Sequence, residues 1–149
     1  MKLLGGILII CASICSSFFY EKKLKQTINS YKDLIDILTY TKTQIYYFSK
    51  PVNQIFAEYD HHGELINELK IKRENAELDF LEPDTRKNIL FLLKELGKGY
   101  KREQISLCEY NLKGLEKDLE NLKTDYSKKC KIYRSVSLFF GVCAVILLI

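Results

Sequence analysis

The two histidines of the chain, His61 and His62, are adjacent. Imidazole nitrogens bind metal ions and transfer protons near neutral pH. Neighbouring residues of a helix point in different directions, so this pair would need carboxylates from elsewhere to hold a metal ion. Asp60 and Glu64 are close in sequence, but their spacing matches no recognised ligand pattern. We therefore predict a polar helix end here, with no metal ion and no other cofactor.

Cys130 is the cysteine best placed for thiol chemistry. It lies among Lys128, Lys129 and Lys131, and nearby cations lower the pKa of a thiol. No histidine follows it in the sequence, so a cysteine–histidine nucleophile is not expected. The other cysteine of the central region, Cys108, falls on an apolar helix stripe and is predicted to lie in the core.

The motif Gly97-Lys98-Gly99 is too short for a phosphate-binding loop, which needs the spacing G-x-x-x-x-G-K-[ST]. It is more typical of a turn between two helices. The five cysteines form no CxxC pair and no repeated spacing, so neither a zinc site nor a disulfide framework is predicted. Because none of these motifs predicts catalysis, we expect a protein that is not an enzyme.

Helices must position these residues. The 149 residues include only two prolines and seven glycines, and no alternating pattern with hairpin turns favours strands. The sequence predicts an all-α protein: an antiparallel helical bundle with two long heptad-patterned helices, flanked by N- and C-terminal transmembrane helices. The formal net charge of +4 is too small to indicate nucleic-acid binding.

Both ends of the chain are uncharged and apolar. As helices, residues 3–20 would span roughly 27 Å and residues 135–149 roughly 22 Å, against a bilayer core of about 30 Å. We predict a transmembrane helix at 1–20, a soluble domain at 21–134 and a second transmembrane helix at 135–149. The alternatives are a cleaved signal peptide at the N-terminus and a buried core helix at the C-terminus.

The basic residues near the two ends set the expected orientation. They follow the first apolar stretch and precede the second, and only Lys2 lies outside both. The positive-inside rule then places the protein in the cell membrane with its central domain facing the cytoplasm. The residues predicted to contact lipid headgroups are Lys22, Lys23, Lys25, Lys128, Lys129, Lys131 and Arg134.

Heptad stripes of apolar residues mark the two long helices. The first stripe, interrupted at Lys42, comprises Leu24, Ile28, Tyr31, Ile35, Leu38 and Ile45. The second comprises Ile105, Cys108, Leu112, Leu115, Leu119, Leu122, Tyr126 and Tyr133. Both helices would leave the same face of a membrane, so we predict that they pair antiparallel within one chain. A homodimeric coiled coil is the alternative.

Three shorter helices are predicted between the long ones. Pro51 begins the first of them, and Gly63 is expected to follow its end. The second covers residues 64–78, and the third is stopped by Gly97. The last long helix is predicted to start near Lys101, which gives about five soluble helices.

Tyrosine is unusually frequent, with ten residues in the chain, and it is enriched at protein interfaces. Tyr46 and Tyr47 are adjacent on the first long helix, so at least one of them should face outward. Together with Pro51 they form the predicted partner-binding surface.

Several segments resemble the stage III sporulation protein AB family of endospore-forming bacteria. Residues 2–6 (KLLGG) are similar to the start of that family, and residues 44–52 (QIYYFSKPV) to its E-I-x-Y-G-x-x-P-L segment. Leu96-Gly97 with Gln104 resembles its L-G-x-S-D-x-x-x-Q turn, and residues 131–135 (KIYRS) with 145–149 (VILLI) resemble its ending. Gly99-Tyr100 replaces the Ser-Asp cap of the last helix, so we expect that helix to fray at its start.

The resemblance implies a structural role in the transenvelope complex between mother cell and forespore, on the mother-cell side. It also implies a helical domain similar to those of platform proteins in type II secretion and type IV pilus systems, which lie beside a cytosolic ATPase. The implied partners are membrane lipids and other proteins of the sporulation complex, including a secretion-type ATPase, but no nucleic acid. The alternative function is a self-associating, membrane-anchored coiled-coil scaffold or stalk, which would form a homo-oligomer.

Overall fold

The computed structural model describes the backbone of residues 2–60 and 63–148. It describes the side chains of the same residues except 2–11, 13, 17, 64, 74, 144, 145, 147 and 148. The α-helices are α1 (Lys2–Phe48), α2 (Val52–Glu58), α3 (Glu64–Ile71), α4 (Pro83–Glu95) and α5 (Lys101–Leu148), with a 3₁₀ turn at Arg73–Asn75. The described backbone contains no strand, so the prediction of an all-α protein with about five helices is confirmed.

The chain divides into two compact units. Unit 1 comprises residues 1–28 and 121–149, and unit 2 comprises residues 29–120. Unit 1 therefore contains both apolar ends together with the basic residues beside them. Unit 2 contains the three short helices and the predicted partner-binding residues.

The part of α1 within unit 2 buries a regular heptad stripe. The side chains of this stripe, at steps of three and four, are Tyr31, Leu34, Leu38, Thr41 and Ile45, and Ile37 is buried beside them. The predicted residues Tyr31, Leu38 and Ile45 are therefore confirmed, whereas Leu34 and Thr41 take the places predicted for Ile35 and Lys42. Thr41 can lie in the core because its hydroxyl donates a hydrogen bond to the Ile37 carbonyl at 2.7 Å, which satisfies the polar group.

The predicted stripe of α5 is confirmed within unit 2 from Cys108 onward, whereas Ile105 is only half-buried. Its buried residues there are Cys108, Leu112, Leu115 and Leu119. Asn111 is buried beside them, and its amide donates to the Leu107 carbonyl at 2.9 Å.

Contacts within unit 2 give the relative direction of these parts of α1 and α5. Lys42 Nζ lies 3.6 Å from Glu109 Oε1, and Lys101 Nζ donates to Ser49 Oγ at 3.0 Å. Lys42 on α1 therefore pairs with Glu109 on α5, whereas Ser49, which comes later in the sequence, pairs with Lys101, which comes before Glu109. Within unit 2 the two helices are therefore antiparallel, as the predicted bundle requires.

The predicted helix at 64–78 was too long, because α3 ends at Ile71. The chain beyond the 3₁₀ turn is held by side chains instead of by helical hydrogen bonds. The Glu68 carboxylate accepts a hydrogen bond from the Glu77 N–H, and Arg86 Nε donates to the Leu78 carbonyl at 3.1 Å. This segment can therefore bury the Leu78 side chain without being a helix.

Gly63 also differs from its predicted role. The short helix α2 ends at Glu58, and Gly63 is the residue immediately before α3. Its φ of −162° is extended backbone that any residue adopts. Gly63 therefore begins the next helix and does not end the previous one.

The predicted transmembrane helices at 1–20 and 135–149 belong to unit 1. Many of their side chains, including those of residues 1–11, lie outside the described residues. Within the part of the chain that is described, no helix combines the length and the apolar composition required to cross a membrane. The two transmembrane predictions are therefore not confirmed.

Candidate partner-binding surface

The predicted surface residues Tyr46, Tyr47 and Pro51 lie where α1 ends and the chain turns into α2. The helix ends at Phe48, and Ser49 has a φ of 50°. This left-handed conformation is common directly after a helix, where it redirects the chain. Pro51 then precedes α2 in extended conformation, with φ −64° and ψ 138°.

The turn between α4 and α5 forms the other side of this surface. Gly97 has a φ of 97°, a conformation that residues with a Cβ atom rarely adopt. An added Cβ would lie 3.5 Å from Val52 Cγ2 at the start of α2. Gly97-Lys98-Gly99 thus forms a helix–helix turn, as predicted, and this turn lies close to the start of α2.

Side chains of the first turn of α5 bond back to the residues that precede the helix. Gln104 Oε1 accepts from the Gly97 N–H at 3.1 Å, and its Nε2 donates to the Gly99 carbonyl at 2.6 Å. Glu103 accepts from the Tyr100 N–H at 3.4 Å, the reciprocal contact of a capping box. The helix begins at Lys101, as predicted, with its first turn bonded to the preceding turn.

A cleft with a volume of about 390 Å³ lies between these two turns. Four of its twelve described lining residues are Lys or Arg, and none of the twelve is Asp or Glu. We call it the basic cleft and define it by its cations: Lys50, Arg73, Lys98 and Lys101. Cations lining a concave surface concentrate positive potential there, so the cleft is suited to an anionic group.

Two of the four cations have carboxylate neighbours. Lys50 Nζ lies 2.6 Å from Glu58 Oε2, and this hydrogen bond raises the pKa of Lys50 and lowers the pKa of Glu58. Lys98 Nζ lies 4.0 Å from Glu95 Oε1, and these two side chains are more exposed than those of Lys50 and Glu58. Such surface pairs are weak and screened by salt, so they leave the cleft positive.

Arg73 and Lys101 meet neutral groups. Nη1 of Arg73 donates to Asn53 Oδ1 at 3.1 Å, and its guanidinium carbon lies 5.8 Å from the centre of the Phe56 ring. Lys101 donates to the Ser49 hydroxyl. Among the described residues, no carboxylate forms a salt bridge with either cation.

Four exposed aromatic side chains lie within two positions of residues that line the basic cleft. We call them the aromatic patch: Tyr46, Tyr47, Phe48 and Tyr100, with exposed fractions of 56%, 71%, 64% and 82%. Two cations of the cleft lie over their rings, Lys101 Nζ at 6.0 Å from the Tyr46 centre and Lys50 Nζ at 6.0 Å from the Phe48 centre. Grouped exposed aromatic residues are typical of protein-binding surfaces.

The sequence identified only part of this surface. It required one of Tyr46 and Tyr47 to face outward, and both are exposed. Phe48 follows them directly, so the same argument could have included it. Tyr100 and Arg73 join the surface only through the folded connections between helices, and no local sequence signal marks them. The partner role of Tyr46, Tyr47 and Pro51 stays a prediction.

The seven basic residues predicted to contact lipid headgroups are all exposed and belong to unit 1. Arg134 Nη2 lies 3.6 Å from Glu21 Oε2, and Lys129 Nζ lies 3.4 Å from Asp125 Oδ2. The Tyr126 hydroxyl donates to Glu21 Oε1 at 3.2 Å, and burial raises the pKa of Tyr126. The lipid contacts themselves stay predictions.

The remaining chemistry-bearing residues are separate from the aromatic patch. Cys108 is buried in unit 2, and burial raises the pKa of its thiol to about 11. Cys130 is half-exposed in unit 1. His61 and His62 lie outside the described residues, and within the described ones no three His, Cys, Asp or Glu side chains are grouped to hold a metal ion.

The fold and this surface define an all-α protein that carries an aromatic patch beside a basic cleft. The family model of stage III sporulation protein AB matches residues 2–69 and 68–149, and the chain belongs to that family. This confirms the resemblance and associates the protein with sporulation. The family is a structural sporulation family and not a known enzyme family. None of the curated proteins and none of the solved structures compared with the chain matches it.

Proposed function

We propose that the protein is a non-enzymatic, membrane-anchored platform component of the transenvelope complex between mother cell and forespore. The observation that carries this proposal is the aromatic patch, four exposed rings beside residues of the basic cleft in unit 2, in a chain of a structural sporulation family. Covering exposed aromatic side chains with a partner lowers the free energy, because apolar surface is removed from water. Docking of another protein of the complex is therefore the role that this surface supports best.

A secretion-type ATPase of the cytosol is the proposed partner. The ground for this choice is what the family resemblance implies, a helical domain similar to those of platform proteins, which lie beside an ATPase. The proposal places unit 2 in the cytoplasm of the mother cell, where the patch is accessible to that partner. The basic residues of unit 1 would then face the anionic inner surface of the membrane.

Membrane anchoring is supported by the apolar surface of unit 1. Its exposed side chains include Phe18, Phe19, Phe139, Phe140 and Ile146, and Phe19 has 79% of its surface exposed. Grouped apolar side chains of this size are unfavourable in water and favourable against lipid or protein. We propose that lipid covers them and that the neighbouring Lys and Arg residues contact the headgroups.

The alternative of a self-associating stalk is less well supported. It requires the heptad stripes to pair between chains. In unit 2 the stripes of α1 and α5 are already buried within one chain, which leaves them unavailable for a second copy. A single-chain platform therefore explains the stripes more simply.

Sporulation itself tests the proposed function. We expect a deletion strain to lose heat-resistant spores, and the full-length wild-type protein to restore them. The double variant Tyr46→Ala/Tyr47→Ala should restore few, because truncation removes the exposed rings that dock the partner. Tyr110→Ala is the matched control, since Tyr110 is also an exposed tyrosine of unit 2, at 70%, but lies outside the patch. Normal sporulation of the deletion strain would reject the proposal.

A further inference from the structure

We infer that the basic cleft binds carboxylates from an acidic segment of a protein partner, beside the aromatic patch. This inference rests on the proposed docking function and names the chemistry of the segment that docks. It concerns residues that the sequence did not assign to any site, above all Arg73, Lys98 and Lys101.

Charge complementarity is the first argument. The four cations of the cleft face no carboxylate among its described lining residues, and only Lys50 has a close ion-pair partner. A carboxylate entering the cleft would therefore gain attraction without displacing an internal salt bridge of Arg73 or Lys101.

Arg73 supplies the second argument. A guanidinium has five N–H donors, but among the described residues only Nη1 meets an acceptor, Asn53 Oδ1. Its Nε has no hydrogen-bond partner but is buried, so an incoming carboxylate would meet the terminal nitrogens of the group. The contacts with Asn53 and the Phe56 ring hold the planar group in place. A guanidinium that is held in position and still has free donors is well suited to a carboxylate, whose two oxygens match its geometry.

The size of the cleft selects among anionic partners. A volume of about 390 Å³ accommodates one or two acidic side chains. Single-stranded nucleic acid needs a longer basic groove that follows several nucleotides. The cleft also adjoins the exposed rings of Tyr46 and Phe48 through Lys101 and Lys50. A peptide segment with acidic and apolar residues can use both surfaces at once, which favours a protein.

Peptide binding to the full-length protein in detergent tests this inference. The probe is a fluorescein-labelled hexaglutamate peptide, and its binding is followed by fluorescence anisotropy at fixed salt. The variant Lys98→Glu/Lys101→Glu should weaken binding by about tenfold or more, since charge-assisted hydrogen bonds are lost and repulsion is added. Both residues are exposed, and a carboxylate at position 101 suits the start of a helix, so folding should be retained.

The matched control is Lys113→Glu/Lys117→Glu, which makes the same change in charge at exposed positions of α5 outside the cleft. It should change the affinity less than about twofold, because exposed charges more than a Debye length apart are largely screened. Arg73→Gln should also weaken binding, with circular dichroism used to verify that it folds. Equal losses in the cleft and control variants, or no loss in the cleft variant, would overturn the inference.

Competing ligands complete the test. Stronger binding of a ten-residue thymidine oligonucleotide or of phosphatidylglycerol vesicles than of hexaglutamate would also overturn it. Recovery of the ATPase from cells separates this inference from the proposed function. If the cleft variant keeps the ATPase while Tyr46→Ala/Tyr47→Ala loses it, the inference fails and the proposed function stands. If both lose it and the control keeps it, both are supported.

Discussion

Two cysteines of the central region differ in how far their thiols are exposed. Cys108 is fully buried, and burial raises its pKa to about 11, so almost none of it is thiolate at pH 8. Cys130 is half-exposed. Because the thiolate is the reactive form, iodoacetamide at pH 8 should label Cys130 at least about tenfold faster than Cys108 in the folded protein. Peptide mass spectrometry distinguishes the two sites.

Unfolding provides the control for this difference in reactivity. In concentrated urea the thiol of Cys108 is solvated and its pKa returns to the ordinary range. The two cysteines should then react at similar rates. Rapid labelling of Cys108 without denaturant would show that the core of unit 2 is not closed around this thiol.

The backbone at Gly97 gives a second prediction at the scale of one residue. Gly97→Ala should lower the free energy of unfolding by about 1–2 kcal/mol, because alanine is strained at a positive φ. Urea unfolding followed by circular dichroism measures this. Gly97→Asn should cost less, since asparagine tolerates the left-handed region better. A neutral Gly97→Ala variant would contradict the conformation of this turn.

At the scale of an element, the long helix α5 contains an unfavourable glycine. Gly114 lies inside α5, and an added Cβ would meet nothing within 4 Å. Gly114→Ala should therefore raise the free energy of unfolding by about 0.5–1 kcal/mol, since alanine loses less conformational freedom in a helix. The same urea measurement applies. A loss of stability would indicate a contact at this position that the structure does not contain.

The elements also show what sequence patterns can predict here. The stripe of α5 was predicted correctly because four apolar side chains, Cys108 to Leu119, mark the heptad without interruption. The predicted stripe of α1 missed Thr41 because this residue is polar. Its hydrogen bond to the Ile37 carbonyl permits its burial. The end of α3 was missed because Leu69 and Ala76 have helical spacing, whereas tertiary hydrogen bonds of Glu77 and Leu78 hold the chain after Ile71 in another conformation.

Only the local part of the candidate surface could be predicted, because its residues are neighbours in the sequence. Tyr46 and Tyr47 are adjacent, and two neighbouring residues of a helix cannot both face one stripe. The basic cleft could not be predicted, because Lys50, Arg73 and Lys98 come from three different connections. Only the fold brings these charges together.

At the scale of the whole molecule, the proposed membrane anchor predicts how the protein fractionates. The full-length protein should stay with the membranes during extraction with alkaline carbonate. Carbonate weakens attachment through charges, whereas the apolar side chains of unit 1 would be inserted into lipid. Detergent should release it. The cytosolic ATPase is the control, since carbonate should detach it from the same membranes. Release of the full-length protein by carbonate would argue against insertion of unit 1 into lipid.

The most direct test of the platform function is recovery of the partner from sporulating cells. Full-length tagged protein is purified in detergent, and the secretion-type ATPase that accompanies it is quantified by mass spectrometry. We expect equal amounts of ATPase with the wild type and with Tyr110→Ala, and at least about a fivefold loss with Tyr46→Ala/Tyr47→Ala, since aromatic residues dominate the binding energy of interfaces. Unchanged recovery with the patch variant would contradict the proposed docking role of the aromatic patch.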